Sequence, residues 1–283
     1  MFNIVDKIKE FFSEILIDMI KENLSGMLLD INDKVSTIAN EVGKTPSGWN
    51  SEVFHFIKSI SENVILPIAG LIITAVLCIE LIQMVMNKNN MHDTDTFDFF
   101  KYMIKMWIAV WLVSHAFDFS MAVFDVAQNL IGKAAGVANA SAKVSPGDIA
   151  NMVDSLKGES IGKLMTIVLE TSIVKMIIQG ISILITVILY GRMIEIYIYT
   201  SVCAIPFATM GNKEWGSIGT NYIRGLFALG LQGLFLLICV GIYAVLVKTL
   251  NISDIHKSIF ELLGYTLIPV SYTHLRAHET PEH

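Results

Sequence analysis

The side chains of this chain that could do chemistry inside a membrane are few and widely spaced. Glu80, His115, Asp118, Glu170, Lys175 and Glu195 interrupt or border long apolar runs. An unpaired charge at the centre of a bilayer costs roughly 2.5–3.5 kcal/mol on insertion scales, so such residues face a bundle interior or a water-filled path. Two uses fit this pattern. The carboxylates Glu80, Asp118, Glu170 and Glu195, with Lys175, line a polar translocation path, or they serve structurally, pairing between helices as glue or snorkelling near the interfaces. Glu170 and Lys175 are five residues apart, beyond the three or four that bring side chains together on a helix, so partners on other helices are expected. Arg192 and Glu195, at i and i+3, have the spacing of a local pair.

No enzyme signature accompanies them. Gly43-Lys44-Thr45 has the ending of a phosphate-binding loop, but Ile38 stands where that loop needs its first Gly. His92, Asp93, Asp95 and Asp98 lack the Gly and closing Glu of a calcium loop. Cys78, Cys203 and Cys239 sit in three different apolar runs, too dispersed for a zinc or iron–sulfur site and suited to apolar packing. No cofactor or metal is therefore expected. The net charge of -6 supplies no basic footprint for nucleic acid.

The elements that must position these residues are apolar helices. Val64–Met86, Met106–Phe124, Leu164–Leu189, Met193–Met210 and Gly225–Val247 each approach or exceed the roughly 17–25 residues of a spanning helix. The mean hydropathy of +0.59 and the 53% hydrophobic composition agree with a chain solvated mostly by lipid. A sixth run, Ile259–Val270, is too short to cross. The expectation is an all-α polytopic membrane protein with five spans, a truncated sixth and an amphipathic N-terminal helical region.

Outside the spans, residues 1–50 form that N-terminal region and a linker. Ile4, Ile8, Phe11, Phe12, Ile15, Leu16, Met19, Ile20, Leu24, Met27, Leu28 and Ile31 recur at helical spacing. The opposite face is acidic (Asp6, Glu10, Glu14, Asp18, Glu22), which favours packing on protein over lying on lipid. Gly43–Asn50 reads as a linker, with Trp49 and Phe54 near the first membrane interface. Residues 51–124 carry two spans, residues 125–163 an extramembrane loop with a flexible middle at Gly132–Gly147 and a short helix at Ile149–Leu156, and residues 164–270 the remaining spans. Lys88, Lys101, Lys105, Arg192, Lys248 and Lys257 against Lys213 and Arg224 favour an outside N-terminus. Counting Lys58, Lys133, Lys143, Lys157 and Lys163 on the other side reverses that margin.

Two further patterns concern assembly. Gly230, Gly233, Gly241 and Ala244 fall on one face of the fifth span, where small residues let another backbone approach, and Gln232 adds an intramembrane amide beside them. Residues 271–283 (SYTHLRAHETPEH) follow an apolar run that stops at Val270 and resemble translated sequencing-adapter read-through. They are set aside from fold reasoning, and His274, His278 and His283 are not read as a metal site. The native chain is then expected to continue through its sixth span.

The segment Gly211–Tyr222 (GNKEWGSIGTNY), with Arg224–Leu229 and Gln232-Gly233 after it, resembles the TrbL-like polytopic channel subunits of type IV secretion systems, in the branch found on Gram-positive conjugative elements. The likeness in layout extends over most of residues 1–270, and the Glu214–Gly233 stretch is its specific part. It implies a non-catalytic subunit of a mating-channel complex in the cell membrane. That subunit would be a homo-oligomer working beside other secretion subunits and transfer ATPases, and DNA with its attached protein would be met only within the assembled complex. The loop at Glu214 and Trp215 becomes a docking loop in that reading, or a simple interface anchor. A secondary transporter using the same carboxylates for ion coupling is the alternative, although no inverted repeat or matched pair of broken spans is visible.

Overall fold

A computed structural model of the chain describes residues 2–86, 96–141, 150, 153–212, 214–248 and 255–278. Every regular element among them is helical. The helices are α1 (Phe2–Val42), α2 (Pro46–Trp49), α3 (Ser51–Ile60), α4 (Leu66–Met86), α5 (Thr96–Ser114), α6 (Ala116–Ser141), α7 (Ile161–Ser201), α8 (Ala204–Thr209), α9 (Gly216–Lys248) and α10 (Ile255–His278). Local chemistry sets several boundaries. Thr45 caps α2 by accepting from the Gly48 amide, and Pro46 follows at the first position, where its missing N–H costs nothing. Asn50 caps α3 by accepting from the Val53 amide at 3.0 Å. Between α3 and α4 the residues Ser61–Ile65 widen into a π turn, with the Leu66 amide reaching back to Ser61 O. Pro67 stands just beyond, unable to donate to the ordinary i−4 carbonyl.

The span count is lower than the apolar runs suggested. Among the described residues, Ser51–Met86, Ile161–Ser201 and Gly216–Tyr243 are long and apolar enough to cross a membrane, and a bent pair, Phe97–Ser114 with Ala116–Gly136, makes up to four. Two corrections account for the difference. The runs Leu164–Leu189 and Met193–Met210 were expected as separate spans, but α7 passes unbroken through Tyr190–Arg192. Neither Gly191 nor Arg192 removes a backbone donor. The break comes at Val202-Cys203, where Pro206 leaves the Val202 carbonyl without its helical partner and the Ile205 amide takes it instead at 3.2 Å. At 41 residues and 1.5 Å per residue, α7 is about 60 Å long, twice a hydrocarbon core. The run Met106–Phe124 is likewise not one straight element: it bends by 69° at His115.

Two loop expectations also change. Residues 132–141 are the last turns of α6, not a flexible loop; their alanines are the strongest helix formers, and Ala134 and Ala135 pack beside the buried Ile131. The rest of the expected loop middle, residues 142–147, lies outside the described residues, as do residues 149, 151 and 152 of the short helix expected at Ile149–Leu156. The sixth run does not end its helix at Val270, because α10 continues to His278.

The chain divides into two compact units. The first comprises residues 1–43, 131–190 and 234–283, the second residues 44–130 and 191–233. In the first unit Ile20, Leu24 and Met27 of α1 share a core with Leu164, Ile167 and Val174 of α7, Leu237 and Val240 of α9, and Ile259 of α10. In the second, Ala69, Ile73 and Leu77 of α4 pack with Phe117 and Phe124 of α6, Met193 and Ile196 of α7, Phe207 of α8, and Tyr222 and Leu226 of α9. The N-terminal region is helical as α1, and the apolar stripe expected on it is only partly buried. Ile20, Leu24 and Met27 are buried, while Ile4, Ile8, Phe11 and Phe12 stay exposed.

Candidate functional site

The segment from Thr209 to Gly233 is organised by side chains that each close one local problem. Asn212 is buried, and its Oδ1 accepts from the Glu214 amide at 2.7 Å and the Trp215 amide at 3.2 Å. Its own carbonyl accepts from the Gly216 amide at 2.8 Å. These bonds satisfy donors that the start of α9 would otherwise leave orphaned. Glu214 and Trp215 project from this turn and are exposed. Gly219 follows where α9 crosses α8: a Cβ there would lie 2.6 Å from the Pro206 carbonyl oxygen, so only Gly permits the approach.

Above that crossing, α7 and α9 are joined by a reciprocal tyrosine pair. The rings of Tyr199 and Tyr222 stack at 4.5 Å with only 5° between their planes. The Tyr199 hydroxyl donates to Tyr222 O at 3.2 Å, and the Tyr222 hydroxyl donates to Tyr199 O at 2.9 Å. Gly225 makes room for the Tyr199 hydroxyl, which a Cβ would meet head-on. Phe207 packs edge-on against Tyr222 at 5.8 Å, and Phe119 edge-on against Phe207 at 5.5 Å. A buried polar cluster sits nearby, with Ser61 of the π turn 3.9 Å from the Cys203 thiol and Ser120 of α6 bonded to Ala116 O at 2.8 Å. The linker is fastened to the same unit. Tyr197 donates to Pro46 O at 2.5 Å, and Trp49 packs on its ring at 6.0 Å.

The ionisable residues expected to line a path are distributed over both units. In the second unit, Glu80 of α4 forms an ion pair with Lys105 of α5, and Tyr102 on the same face of α5 donates to Leu77 O at 2.8 Å. Lys105 therefore belongs to a helix, not to the inter-span loop where the apolar runs placed it. Asp118 lies 3.7 Å from Lys58, which is also 3.6 Å from Glu62. Glu195 is exposed. Its expected partner Arg192 is 5% exposed, and the guanidinium Nε and Nη2 find no hydrogen-bond partner among the described residues, Glu195 included. In the first unit, Lys175 reaches Asn23 Oδ1 at 3.5 Å, and Asn23 Nδ2 donates to Thr171 at 3.2 Å and Ser172 at 2.9 Å. Lys175 is thus engaged across helices. Gly26 lets α1 close over it: a Cβ there would be 3.1 Å from Lys175 Nζ. Glu170 is half-buried and also engaged.

Of the small-residue face, Gly230 and Gly233 are buried in the second unit. A Cβ on Gly230 would touch Ala127 Cβ at 3.4 Å, so this position is a close approach between α9 and α6. Gly241 is half-buried and belongs to the first unit, while the Ala244 side chain lies outside the described residues. Sequence reasoning missed the tyrosine pair, the role of Asn212, and Gly219 and Gly225. The glycines at 216, 219 and 225, regular and within a helix-bearing segment, were the available signal. Among the described residues no group of three or more His, Cys, Asp or Glu could hold a metal, and His92, Asp93 and Asp95 lie outside them.

Comparison with known proteins adds a family. Neither the curated proteins nor the solved structures provide a significant match. A family profile, described as TrbL/VirB6 plasmid conjugal transfer like protein, matches residues 31–204. The match ends just before the Gly211–Gly233 segment whose wording first carried the resemblance, so the two observations rest on different residues. It takes in α3 to α6 and all of α7, the elements that supply Glu80, Lys105, Asp118, Glu170, Lys175 and Glu195. Covering more than half of this helical, apolar chain, that match shows that the protein belongs to the TrbL/VirB6 plasmid conjugal transfer-like family.

Proposed function

We propose that this protein is an integral membrane subunit of a conjugative type IV secretion complex, a channel or scaffold component through which DNA and its attached protein cross the cell membrane. The observation that carries the reading is the family match over residues 31–204, in a chain with at least three helices long and apolar enough to span a bilayer. The polar residues support a structural role. Glu80, Asp118 and Lys175 each meet a partner on another helix, an arrangement that holds a wall together. Small residues at Gly230 and Gly233 permit close helix packing, within one bundle or between copies. Glu214 and Trp215, on a turn stiffened by Asn212, form an exposed docking point for a neighbouring secretion subunit. Transfer ATPases supply the energy in this scheme, the protein itself catalyses nothing, and it acts as a multi-pass protein of the plasma membrane.

The test is genetic and biochemical together. The gene is deleted from a conjugative element that carries it, and mating frequency is measured with and without the chain supplied in trans. Loss of transfer, restored by the chain and accompanied by its co-purification with transfer ATPases from membranes, is the expected result. Normal transfer in the deletion strain, with loss of a solute uptake activity instead, would move the assignment to a secondary transporter.

A further inference from the structure

The turn between α8 and α9 lies level with the middle of an apolar span of the same unit. Of the three helices among the described residues that are long and apolar enough to cross a membrane, Ser51–Met86 is the most apolar. Glu62 and Lys88 bracket its apolar run, and the single charge between them, Glu80, is paired by Lys105. Val76 stands near the middle of that run, about 15–18 Å of helix from either end. The chain of α8 follows α4 inward from the edge. Cys203, just before α8, meets Ser61 at 3.9 Å, and a Cβ on Gly211, just after it, would lie 3.7 Å from Val76 Cγ1. From the turn, α9 heads back towards the edge, passing Pro206 at Gly219 and Tyr199 at Gly225.

At this depth α4 and α9 present different surfaces outward. Leu71, Ala75, Cys78 and Ile82 of α4 are exposed, a surface suited to lipid tails, and the exposed Thr74 closes its hydroxyl on Gly70 O at 2.7 Å. On α9, Gly219, Tyr222 and Leu226 are buried, while Ser217, Thr220, Asn221 and Arg224 are exposed on the other side. These four, at i, i+3, i+4 and i+7, share one helix face. Glu214 is exposed at its start. An amide or a charge turned towards hydrocarbon is strongly disfavoured. Arg224, nearer the edge, has the length to reach the interface; Ser217 and Asn221 do not. Irregular backbone at membrane depth is tolerated where it packs in protein or lines water. Asn212 supplies the first on the inner side of the turn. The polar outer side calls for the second.

We propose that the Ser217–Asn221–Arg224 face of α9 is one wall of a water-filled vestibule that enters the bilayer to about its middle, with Glu214 and the α8–α9 turn at its inner end. The face is wetted by water and the polar solutes it carries, and lipid meets the protein on the apolar face of α4. This deepens the channel reading and rests on it for what the vestibule serves, whereas the presence of water is tested on its own.

The full-length chain would be expressed in cells with Cys78, Cys203 and Cys239 replaced by Ala and with Ser217→Cys introduced. A second chain keeps Cys78 alone, which faces outward at the same depth on α4. A membrane-impermeant cationic methanethiosulfonate is applied to intact cells and to inverted vesicles, and labelling is read as protection from a later maleimide. The thiolate is the reacting species and hydrocarbon suppresses it, so Ser217→Cys should label at least about tenfold faster than Cys78. Asn221→Cys should label as fast as Ser217→Cys. Shielding of position 217 in membranes, by lipid or by a protein partner, overturns the proposal even where Asn221→Cys labels, because water would then reach the rim alone. Equal labelling of Cys78 overturns it too: α9 is long enough to cross from Gly225 onward, and that result would put the whole level outside the bilayer. Should Ser217→Cys fail to accumulate, Thr220→Cys on the same face takes its place under the same criteria. A labelled face in a protein whose deletion leaves mating intact would keep the vestibule and remove its channel role; a shielded face with mating lost on deletion would do the reverse.

Discussion

The two units solve the same packing problem with different chemistry. The first is joined chiefly by aliphatic contacts, Ile20, Leu24 and Met27 against Leu164, Ile167 and Val174, with a polar node at Asn23, Thr171, Ser172 and Lys175. The second is held at several levels by groups that fit in one register only: the Tyr199–Tyr222 exchange, the Glu80–Lys105 pair, and the glycines at 219 and 225. Aliphatic surfaces tolerate sliding, because dispersion and burial are non-directional. Directional bonds and clash-limited glycines do not. The second unit is therefore expected to be register-specific, and the first adaptable.

The sharpest break of that comparison is Gly219→Ala. Its Cβ would meet a backbone carbonyl at 2.6 Å, which no side-chain rotation relieves, so the helices must part at a cost of about 2–3 kcal/mol. Thermal unfolding in detergent should show a clear loss. An unchanged midpoint would mean the α8–α9 crossing is as adaptable as an aliphatic seam. Next in size is Lys105→Ala, which strands Glu80, whose side chain is only 11% exposed. With Lys105 itself 43% exposed, the effect is discounted to about 1–2 kcal/mol. The double exchange Glu80→Lys with Lys105→Glu should recover much of it; no recovery would show that the pair does not act as a pair. The smallest effect is expected in the first unit. Asn23→Ala removes the donor to the Thr171 and Ser172 hydroxyls and the acceptor of Lys175 Nζ, while the Thr171 hydroxyl keeps its own donation to Ile167 O at 2.8 Å. A loss of about 1 kcal/mol or less is expected. A larger loss than for Gly219→Ala would invert the comparison.

How much of this was legible beforehand follows from the range of each signal. Membrane class, all-helical structure and the amphipathic α1 are properties of composition and local periodicity, and these are read from any stretch of twenty residues. The individual polar residues were found for the same reason, since a charge in an apolar run is visible without a partner. Their partners were not. Asn23 is 152 residues from Lys175 and Lys105 is 25 from Glu80, and no local pattern encodes either meeting. The span count failed where two apolar runs shared one helix: Arg192 looked like a loop residue because charge suggests water, but a charge does not remove a backbone hydrogen bond, and Pro206 does.

The sequence by itself thus determined what this protein is made of and to which solvent it belongs. The cost of unpaired backbone groups and charges in hydrocarbon leaves helices with few, partnered polar residues. Only the tertiary structure decided which polar residues meet, where the long helix α7 breaks, and that Arg192 and Gln128 are buried. Those outcomes depend on the register between helices distant in the chain, and register is set by shapes that exist only once the helices are packed.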